Sequence, residues 1–137
     1  MAQKLKVGDE FKAPFRLTQD DVERFMTLSG DRNQIHFDAD AAGRSVIGRV
    51  AVPGMLSALA FTRVLGTQFP GHRTVYRSQT LEFLRPMFVE TDYIVEVTVR
   101  ELEPPKHRGR LTTVVREAET GEVTLRGEAV VIHLDLL

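Results

Sequence analysis

Hydrophobic residues recur at helical spacing in the first third of the chain. The sequence "TQDDVERFMTLSG" (residues 18–30) opens with Thr18 and two carboxylates, closes at Gly30, and has apolar side chains at Val22, Phe25, Met26 and Leu28. A hydroxyl can cap the first turn of a helix, carboxylates favour its positive end, and glycine favours its end. We therefore expect a helix that starts after Thr18 and ends near Gly30.

A second stretch, "PGMLSALAFTRVLGTQF" (residues 53–69), is apolar at most of its positions. Pro53 suits a first helical turn, and the polar residues are few, namely Ser57, Thr62, Arg63, Thr67 and Gln68. A helix that is apolar on most sides is normally surrounded by protein. The pattern predicts the central, buried helix of the domain.

From His72 onward, apolar and polar residues alternate in runs rich in valine, threonine and aromatic residues. The runs are "RTVYRSQTLEFL", "DYIVEVTVREL", "RLTTVVREAE" and "EVTLRGEAVVIHL", and the segments between them are "RPMFVET", "EPPKHRG" and "ETGE". Alternation with period two indicates strands, and short connections indicate antiparallel pairing. Helices followed by a meander of strands predict an α+β fold in which one antiparallel β-sheet wraps over one buried helix.

The composition fits a single domain over residues 1–137. The 137 residues are 42% hydrophobic and 27% charged, which is typical of a globular domain with a substantial core. The formal net charge is −1, so the chain has no overall field that attracts nucleic acid or an anionic membrane. We expect neither as a partner.

The chain has no cysteine, which excludes a disulfide framework, thiolate metal sites and a cysteine nucleophile. The start, "MAQKLKVGDEFKAP", lacks the apolar run of a signal peptide. No segment approaches the roughly 18 apolar residues of a membrane-spanning helix. These features predict a soluble protein that stays in the cytoplasm.

The segment "SGDRNQIHFDADAA" (residues 29–42) concentrates polar side chains directly after the first predicted helix. Its D-x-N start resembles a calcium loop, but Ile35, His36 and Ala42 stand where that loop needs an oxygen ligand, a glycine and a glutamate. A zinc site is disfavoured, because no second histidine lies at ligand spacing from His36. We therefore expect no metal site.

Two interpretations of this segment remain open on its pattern alone. Asp31, Asn33, Asp38 and Asp40 suit turns and helix caps, and Asp38 is placed to cap the short turn "ADAAG". His36 stands between Ile35 and Phe37, which favour an inward orientation of its ring. The histidine can therefore be structural, or it can form an acid and base pair with a neighbouring carboxylate.

The segment "LSGDRNQIHFDADAA" resembles the hydratase signature of the MaoC-like, (R)-specific enoyl-CoA hydratase family, which has an Asp, an Asn two places on and a His five places on. Asp31, Asn33 and His36 match this pattern. "PGMLSALAFTRVLGTQFPG" looks like the central helix of the family, and "VYRSQTLEFLRPMFVETD" looks like its following strand and turn. Three blocks agree in order and spacing, so the resemblance covers nearly the whole chain.

The resemblance implies a hot-dog fold, an antiparallel sheet curled around the central helix. It also implies (R)-specific, reversible hydration of trans-2-enoyl-CoA to (R)-3-hydroxyacyl-CoA, with Asp31 as the base and His36 as the proton donor around one water. Asn33 either orients the water and carboxylate or braces the loop. The chemistry requires no metal or redox cofactor, and CoA enters as the carrier of the substrate.

Two further substrate-binding residues follow from the resemblance. The backbone N–H of Gly54, at a helix amino terminus, can bind the thioester oxygen, although it can equally reflect tight packing. Thr62 lies eight residues, roughly two helical turns, beyond Gly54 and matches a place where the family has a hydroxyl, although this hydroxyl can also bond back to its own helix. Basic residues can meet the CoA phosphates, although a solvated strand edge explains them as well, and more often; they are Arg85, Lys106, His107, Arg108 and Arg110. Two departures are Pro53-Gly54 in place of the common His-Gly, and the loss of a common glycine within "VET" (residues 89–91).

The resemblance further implies a homodimer, or a dimer of dimers, formed by pairing sheets edge to edge. Two other functions remain open. Other hot-dog proteins hydrolyse acyl-CoA thioesters, and some act only as non-catalytic, acyl-CoA-binding partner subunits. The Asp-x-Asn-x-x-His spacing favours hydration over hydrolysis, whereas the Pro53 departure favours the partner-subunit hypothesis. The sequence does not define the length of the acyl chain or a second carboxylate on it.

Overall fold

The computed structural model describes residues 3–137. Its strands are β1 (Glu10–Phe15), β2 (Val75–Gln79), β3 (Glu82–Phe83), β4 (Tyr93–Glu103), β5 (Arg108–Glu117) and β6 (Val123–Ile132). Its helices are α1 (Gln19–Ser29), α2 (Ala39–Gly43), α3 (Gly54–Ser57) and α4 (Leu59–Thr67), and a 3₁₀ turn spans Gln34–His36. The predicted α+β class is confirmed.

The strands form one antiparallel sheet in the order β1-β4-β5-β6-β2, and β3 also pairs with β6. Strands β4, β5 and β6 are the predicted meander, and the "ETGE" turn that joins the last two contains Gly121 with a φ of 77°. Their alternate side chains enter the core: Val95, Val97 and Val99 on β4 and Leu111 and Val115 on β5. The sheet therefore has one face packed against the helices, as its period-two pattern requires.

Helix α1 has the predicted limits. The hydroxyl of Thr18 accepts a hydrogen bond from the Asp21 N–H, and the Asp21 carboxylate accepts one from the Thr18 N–H. This reciprocal cap satisfies two donors at the helix start. Gly30 ends the helix in the left-handed conformation, with a φ of 76° and its N–H bonded to the Met26 carbonyl. The chain thereby turns sharply into residues 31–36.

The predicted central helix differs from expectation in two ways. It is interrupted at Ala58, so that α3 and α4 are separate segments. One face is buried through Leu56, Ala60, Phe61, Val64 and Leu65, but Met55 and Leu59 on the other face are 57% and 45% exposed. The expectation that protein surrounds the helix is therefore wrong for that face. The sheet covers only one side of a helix that lies on it.

The strand prediction also needs two corrections. Strand β1 was not predicted, and it pairs along its whole length with β4, from Glu10 opposite Thr98 to Phe15 opposite Tyr93. The single run predicted across residues 73–84 is divided into β2 and β3, with a bend around Thr80. At this bend the Thr80 N–H and hydroxyl bond to the backbone of Glu128, which holds the bend against β6.

Candidate active site

Residues 31–36 fold into consecutive side-chain-to-backbone turns. The carboxylate of Asp31 accepts the Asn33 N–H at 3.1 Å, and the Asn33 side-chain oxygen accepts the Ile35 N–H at 3.2 Å. Asp and Asn favour such turns because their short side chains reach the backbone two residues on. Asp31 and Asn33 therefore shape the loop, as the turn-former interpretation expected, and Asn33 caps the 3₁₀ turn that carries His36.

The ring of His36 is buried and has a defined orientation. Its Nδ1 lies 2.8 Å from the carbonyl oxygen of Ala51. A carbonyl can only accept a hydrogen bond, so Nδ1 carries a proton and Nε2 is the atom left for chemistry. The backbone of the same residue pair adds a second link, because the Ala51 N–H donates to the Ile35 carbonyl at 3.2 Å.

Asp31 and His36 face each other across a short gap. Asp31 Oδ2 lies 3.8 Å from His36 Nε2, and the two side chains are 45% and 8% exposed. This separation exceeds an ordinary hydrogen bond, and one water molecule can contact both atoms. The carboxylate is accessible from solvent, whereas the imidazole is held by protein on its other side. The structure thus places together the two residues that the sequence predicted as a pair.

His36 lines a cavity of about 300 Å³ between the polar loop and the start of the central helix. The walls are mostly apolar, and they come from residues that are distant in sequence: Ile35, Ile47, Ala51, Val52, Phe83, Leu84, Pro86 and Met87. The polar contributors are His36, Gly54, Ser57 and Arg85. An apolar cavity with a few convergent polar groups is the usual form of a small-molecule site.

Gly54 lies at the first position of α3 and shares this cavity with His36. Pro53 precedes it and supplies no side-chain cap to the helix start. A Cβ added at Gly54 would lie 3.1 Å from the nearest atom of the Phe83 ring, so the residue is also closely packed. The Phe83 contact confirms the packing role of this glycine, and its place in the cavity lining leaves the thioester-binding role a prediction.

Ser57 is a cavity residue that the sequence did not single out. Its buried hydroxyl donates to the Gly54 carbonyl at 2.5 Å. The available signal was its position three residues after Gly54, which places both on one face of a helix. This bond fixes the first turn of α3 and keeps a hydroxyl oxygen at the cavity wall.

Thr62 is not brought to this cavity. It is exposed on α4 and lines a separate groove of about 470 Å³ with Phe25, Leu28, Leu59 and Arg63. The spacing of eight residues from Gly54 corresponds to about two turns of a regular helix. Ala58 keeps right-handed helical dihedrals, with a φ of −66° and a ψ of −17°, so the separation follows from helical geometry itself. Eight residues rotate a side chain by about 80° relative to Gly54, which is enough to turn Thr62 away from the cavity.

Asp38 and Asp40 have the structural roles that were expected for them. The carboxylate of Asp38 accepts the N–H groups of Asp40 and Ala41 and caps α2, as predicted. Asp40 is paired with Arg44 at 2.8 Å on the same short helix. Among residues 3–137, no group of three or more acidic or histidine side chains is arranged to hold a metal ion.

The basic residues considered for CoA phosphates have carboxylate partners in the structure. Arg85 lines the His36 cavity and lies 3.5 Å from Glu122. Lys106 and Arg108 pair with Glu103, and Arg108 holds the pKa of the Glu103 carboxyl below its ordinary value. Arg110 lies between Glu101 and Glu128, and the ring of His107 contacts the Leu137 carbonyl. Only Arg85 in this set borders the cavity.

The "VET" turn explains the position of a family glycine. Glu90 has a φ of 54°, in the left-handed region that glycine adopts without strain. Its N–H bonds to the Leu17 carbonyl at 2.8 Å, and its carboxylate pairs with Arg16. These contacts hold Glu90 in a left-handed conformation that glycine would adopt more readily. The turn lies outside the cavity lining.

Comparison with known proteins finds similar proteins over nearly the whole chain. Residues 2–123 match the family described as MaoC like domain. The (R)-specific enoyl-CoA hydratase of Aeromonas caviae is 37% identical over 130 residues, which cover 95% of this chain and 96% of the relative. The 3-hydroxybutyryl-CoA dehydratase of Methylorubrum extorquens is 38% identical over 115 residues, covering 84% and 72%. The solved (R)-hydratase from A. caviae involved in PHA biosynthesis superposes with a TM-score of 0.88 over 96% of this chain and 98% of that one.

Proposed function

The chain belongs to the family of MaoC-like domain proteins, and from this we propose that Asp31 and His36 catalyse the (R)-specific hydration of trans-2-enoyl-CoA. The fold is the hot dog that the resemblance implied. The observation that supports the catalytic assignment is the 3.8 Å approach of His36 Nε2 to Asp31 Oδ2, with the other ring nitrogen engaged by Ala51. The reverse reaction, dehydration of the 3-hydroxyacyl thioester, uses the same groups.

Asp31 is the base in this proposal. Its exposed carboxylate accepts one proton from a water that lies between it and His36, and the hydroxyl of that water bonds to C3 of the enoyl group. The electron pair of the C2–C3 double bond moves toward C2 and the thioester oxygen. Asn33 supports this step through the turn that fixes the Asp31 carboxylate.

His36 is the acid. With Nδ1 bonded to the Ala51 carbonyl, a proton on Nε2 faces the gap, and it passes to C2 to complete the addition. The proton that Asp31 accepted returns to Nε2 through the next water, which restores both groups. Because both groups act from one side, the hydroxyl and the proton add to the same face of the substrate.

The thioester oxygen accumulates negative charge during this addition. We assign its stabilisation to the N–H of Gly54, which opens α3 without a side-chain cap and borders the cavity that contains His36. A fixed backbone donor stabilises such charge without reorganisation. Ser57 supports it by tying down the first helical turn. Thr62 has no role in this scheme, because it lines another groove.

The acyl group enters as a CoA thioester, and no further cofactor takes part in the proposed chemistry. Arg85 is the basic residue that we assign to the anionic part of CoA, because it borders the cavity and its Glu122 partner is exposed. A location in the cytoplasm stays a prediction, and we also propose a part in fatty acid metabolism. No helix within residues 3–137 has the length and apolar character needed to span a bilayer.

We also propose a homodimer in which the β2 edges of two sheets pair. Strand β2 ends the sheet and exposes Val75 and Tyr76 beside one charged residue, Arg77, whereas β1 at the other edge contains Pro14 and two charged residues, Glu10 and Lys12. Charge and proline oppose strand pairing at an edge. Light scattering should give twice the chain mass for the wild type and the single mass for Val75→Lys, with Val7→Lys as an equally exposed control. A wild-type monomer would contradict the proposal.

The catalytic assignment is tested with crotonyl-CoA and the purified protein. Loss of the conjugated enoyl absorbance and the chirality of the product are followed for the wild type, Asp31→Asn and His36→Ala, with Asp40→Asn as the control from the same segment. We expect losses of about 10² to 10⁴ in kcat for the first two variants and wild-type activity for the control.

Release of free thiol in step with the loss of absorbance, with no 3-hydroxyacyl product, would instead identify a thioesterase. Binding of acyl-CoA without either reaction would favour a non-catalytic partner subunit, the hypothesis that the Pro53 departure supports. Retention of hydration by His36→Ala would refute the role given to that histidine.

A further inference from the structure

A short segment without regular secondary structure, Arg49–Val52, determines the orientation of His36. We call it the strap. The carbonyl of Ala51 accepts the His36 Nδ1 proton at 2.8 Å, and the Ala51 N–H donates to the Ile35 carbonyl. On the other side, the Val52 N–H donates to the Met87 carbonyl at 2.8 Å. The strap therefore links the loop that carries His36 to the turn before β4.

The side chain of Arg49 makes the third contact between the strap and this turn. Its guanidinium carbon lies 3.5 Å from the centroid of the Phe88 ring, directly over the face. A guanidinium over an aromatic face is attracted by the negative charge density of the ring. Arg49 takes part in none of the ion pairs within residues 3–137. Its side chain instead contacts the Phe88 ring.

Phe88 is itself anchored to the core. Its N–H donates to the hydroxyl of Tyr93 at 2.9 Å, and Tyr93 is 2% exposed at the start of β4. The backbone that carries the ring beneath Arg49 is therefore tied to the sheet. A chain of contacts runs from Tyr93 through Phe88 and Arg49 to the Ala51 carbonyl and then to His36.

We propose that Arg49 is a positioning residue for the reaction, which acts through Phe88 and the strap to hold the Ala51 carbonyl against His36 Nδ1. The inference rests on the proposed catalytic role of His36. Without the contact between Arg49 and Phe88, the strap keeps its two backbone hydrogen bonds, to Ile35 and Met87, but loses the side-chain contact of its first residue. The Ala51 carbonyl then moves more freely, and the Nε2 atom is less often directed at Asp31.

Two variants of Arg49 test the charge of its side chain separately from its size. Arg49→Met keeps an extended side chain over Phe88 and removes the cation, and Arg49→Lys restores a cation. Arg100→Met is the matched control, because Arg100 is an exposed arginine on β4 that bonds to Thr112 and does not contact the strap. Thermal unfolding of each variant shows whether the fold is retained.

In hydration assays we expect Arg49→Met to lower kcat about 5- to 20-fold, to leave KM within about twofold, and to change the pH profile of kcat. Arg49→Lys should recover part of the loss, and Arg100→Met should match the wild type. Unchanged kcat with a raised KM would overturn the proposal, because Arg49 would then bind substrate directly. An equal loss in both Arg49 variants with a lowered unfolding temperature would also overturn it.

A second measurement does not depend on activity. In protein labelled with ¹⁵N at its four histidines, the His36 ring signals are identified by their loss in His36→Ala. We expect an Nδ1 that is hydrogen-bonded to the Ala51 carbonyl in the wild type, and in Arg49→Met a shift of the Nδ1 signal that reports a weaker hydrogen bond. Unchanged His36 signals would refute the positioning role. If those signals shift while His36→Ala still hydrates crotonyl-CoA, the positioning inference stands and the catalytic assignment fails.

Discussion

Replacement of Gly127 by alanine should strongly destabilise the protein. Gly127 lies on β6 directly beneath the bend between β2 and β3, and a Cβ at this position would lie 1.8 Å from the Thr80 carbonyl oxygen. It would also lie 2.7 Å from the Thr80 carbonyl carbon and 3.0 Å from Gln79 Nε2. Because the nearest atoms belong to backbone, the bend itself must move by roughly 1 Å to remove the overlap.

That displacement disrupts an identifiable set of hydrogen bonds. The Thr80 N–H donates to the Glu128 carbonyl, the Glu128 N–H donates to the Thr80 hydroxyl, and Gln79 Nε2 donates to the buried hydroxyl of Thr113. Three hydrogen bonds at about 1 kcal/mol each give a total loss of about 3 kcal/mol, since the Thr113 hydroxyl keeps its bond to the Gly127 carbonyl. The unfolding temperature should fall by about 10–20 °C for a chain of this size.

Urea unfolding followed by circular dichroism measures this loss, and thermal unfolding checks it. Gly66→Ala is the matched control, because Gly66 lies on α4 and an added Cβ meets no atom within 4 Å. The control should be unchanged or more stable by about 0.5–1 kcal/mol. A loss below about 1 kcal/mol in Gly127→Ala, or equal effects in the two variants, would refute the steric argument.

Three other predictions concern the site and its surroundings. Gly54→Ala should fold normally, because the half-exposed Phe83 ring can turn away from the added methyl group. The methyl group should obstruct the thioester oxygen and lower kcat for crotonyl-CoA at least about tenfold. A kcat equal to that of the wild type would argue against the Gly54 N–H as the donor. Asp38→Ala should lose about 1 kcal/mol in urea unfolding because the cap of α2 is removed, while kcat stays at the wild-type value; a catalytic loss would show that Asp38 does more than cap. Although the Tyr76 side chain is 38% exposed, partial desolvation of its phenol raises the pKa from 10.0 to about 12, so the folded state retains a proton that the unfolded state loses between these pH values. Stability should therefore decline as the pH rises above 10, and the stability difference between wild type and Tyr76→Phe should shrink over that range; a constant difference would contradict the shift.

The elements that the sequence defined are those whose signals are local. Helix α1 carries its cap at Thr18 and its stop at Gly30, and the strands β4, β5 and β6 alternate over 10 or 11 residues each with short turns between them. The loop from Asp31 to His36 is equally local, because its turns are made by side chains that bond two residues on. The sequence therefore placed both proposed catalytic residues on one short loop.

Long-range contacts decided the rest. Strand β1 contains Pro14 and depends on pairing with β4, some 80 residues away, and the bend at Thr80 depends on the open space above Gly127. The wall of the cavity combines residues from 35 to 87, so neither its shape nor the part played by Ser57 follows from any one segment. Thr62 was assigned from the family hydroxyl and from a spacing of roughly two helical turns, but eight residues rotate a side chain by about 80°, and the packing of α4 turns Thr62 to a separate groove.

The orientation of His36 shows most clearly what the sequence determined and what the tertiary structure decided. The sequence determined that a histidine follows Asp31 by five positions on a turn. Only the folded chain brings the Ala51 carbonyl to Nδ1, and only the folded chain places Arg49 over Phe88 beside it. Backbone groups are alike at every position, so the partner of a side chain in the interior is determined by packing and not by residue type. The sequence supplied the reactive groups, and the tertiary structure determined which nitrogen of His36 faces Asp31.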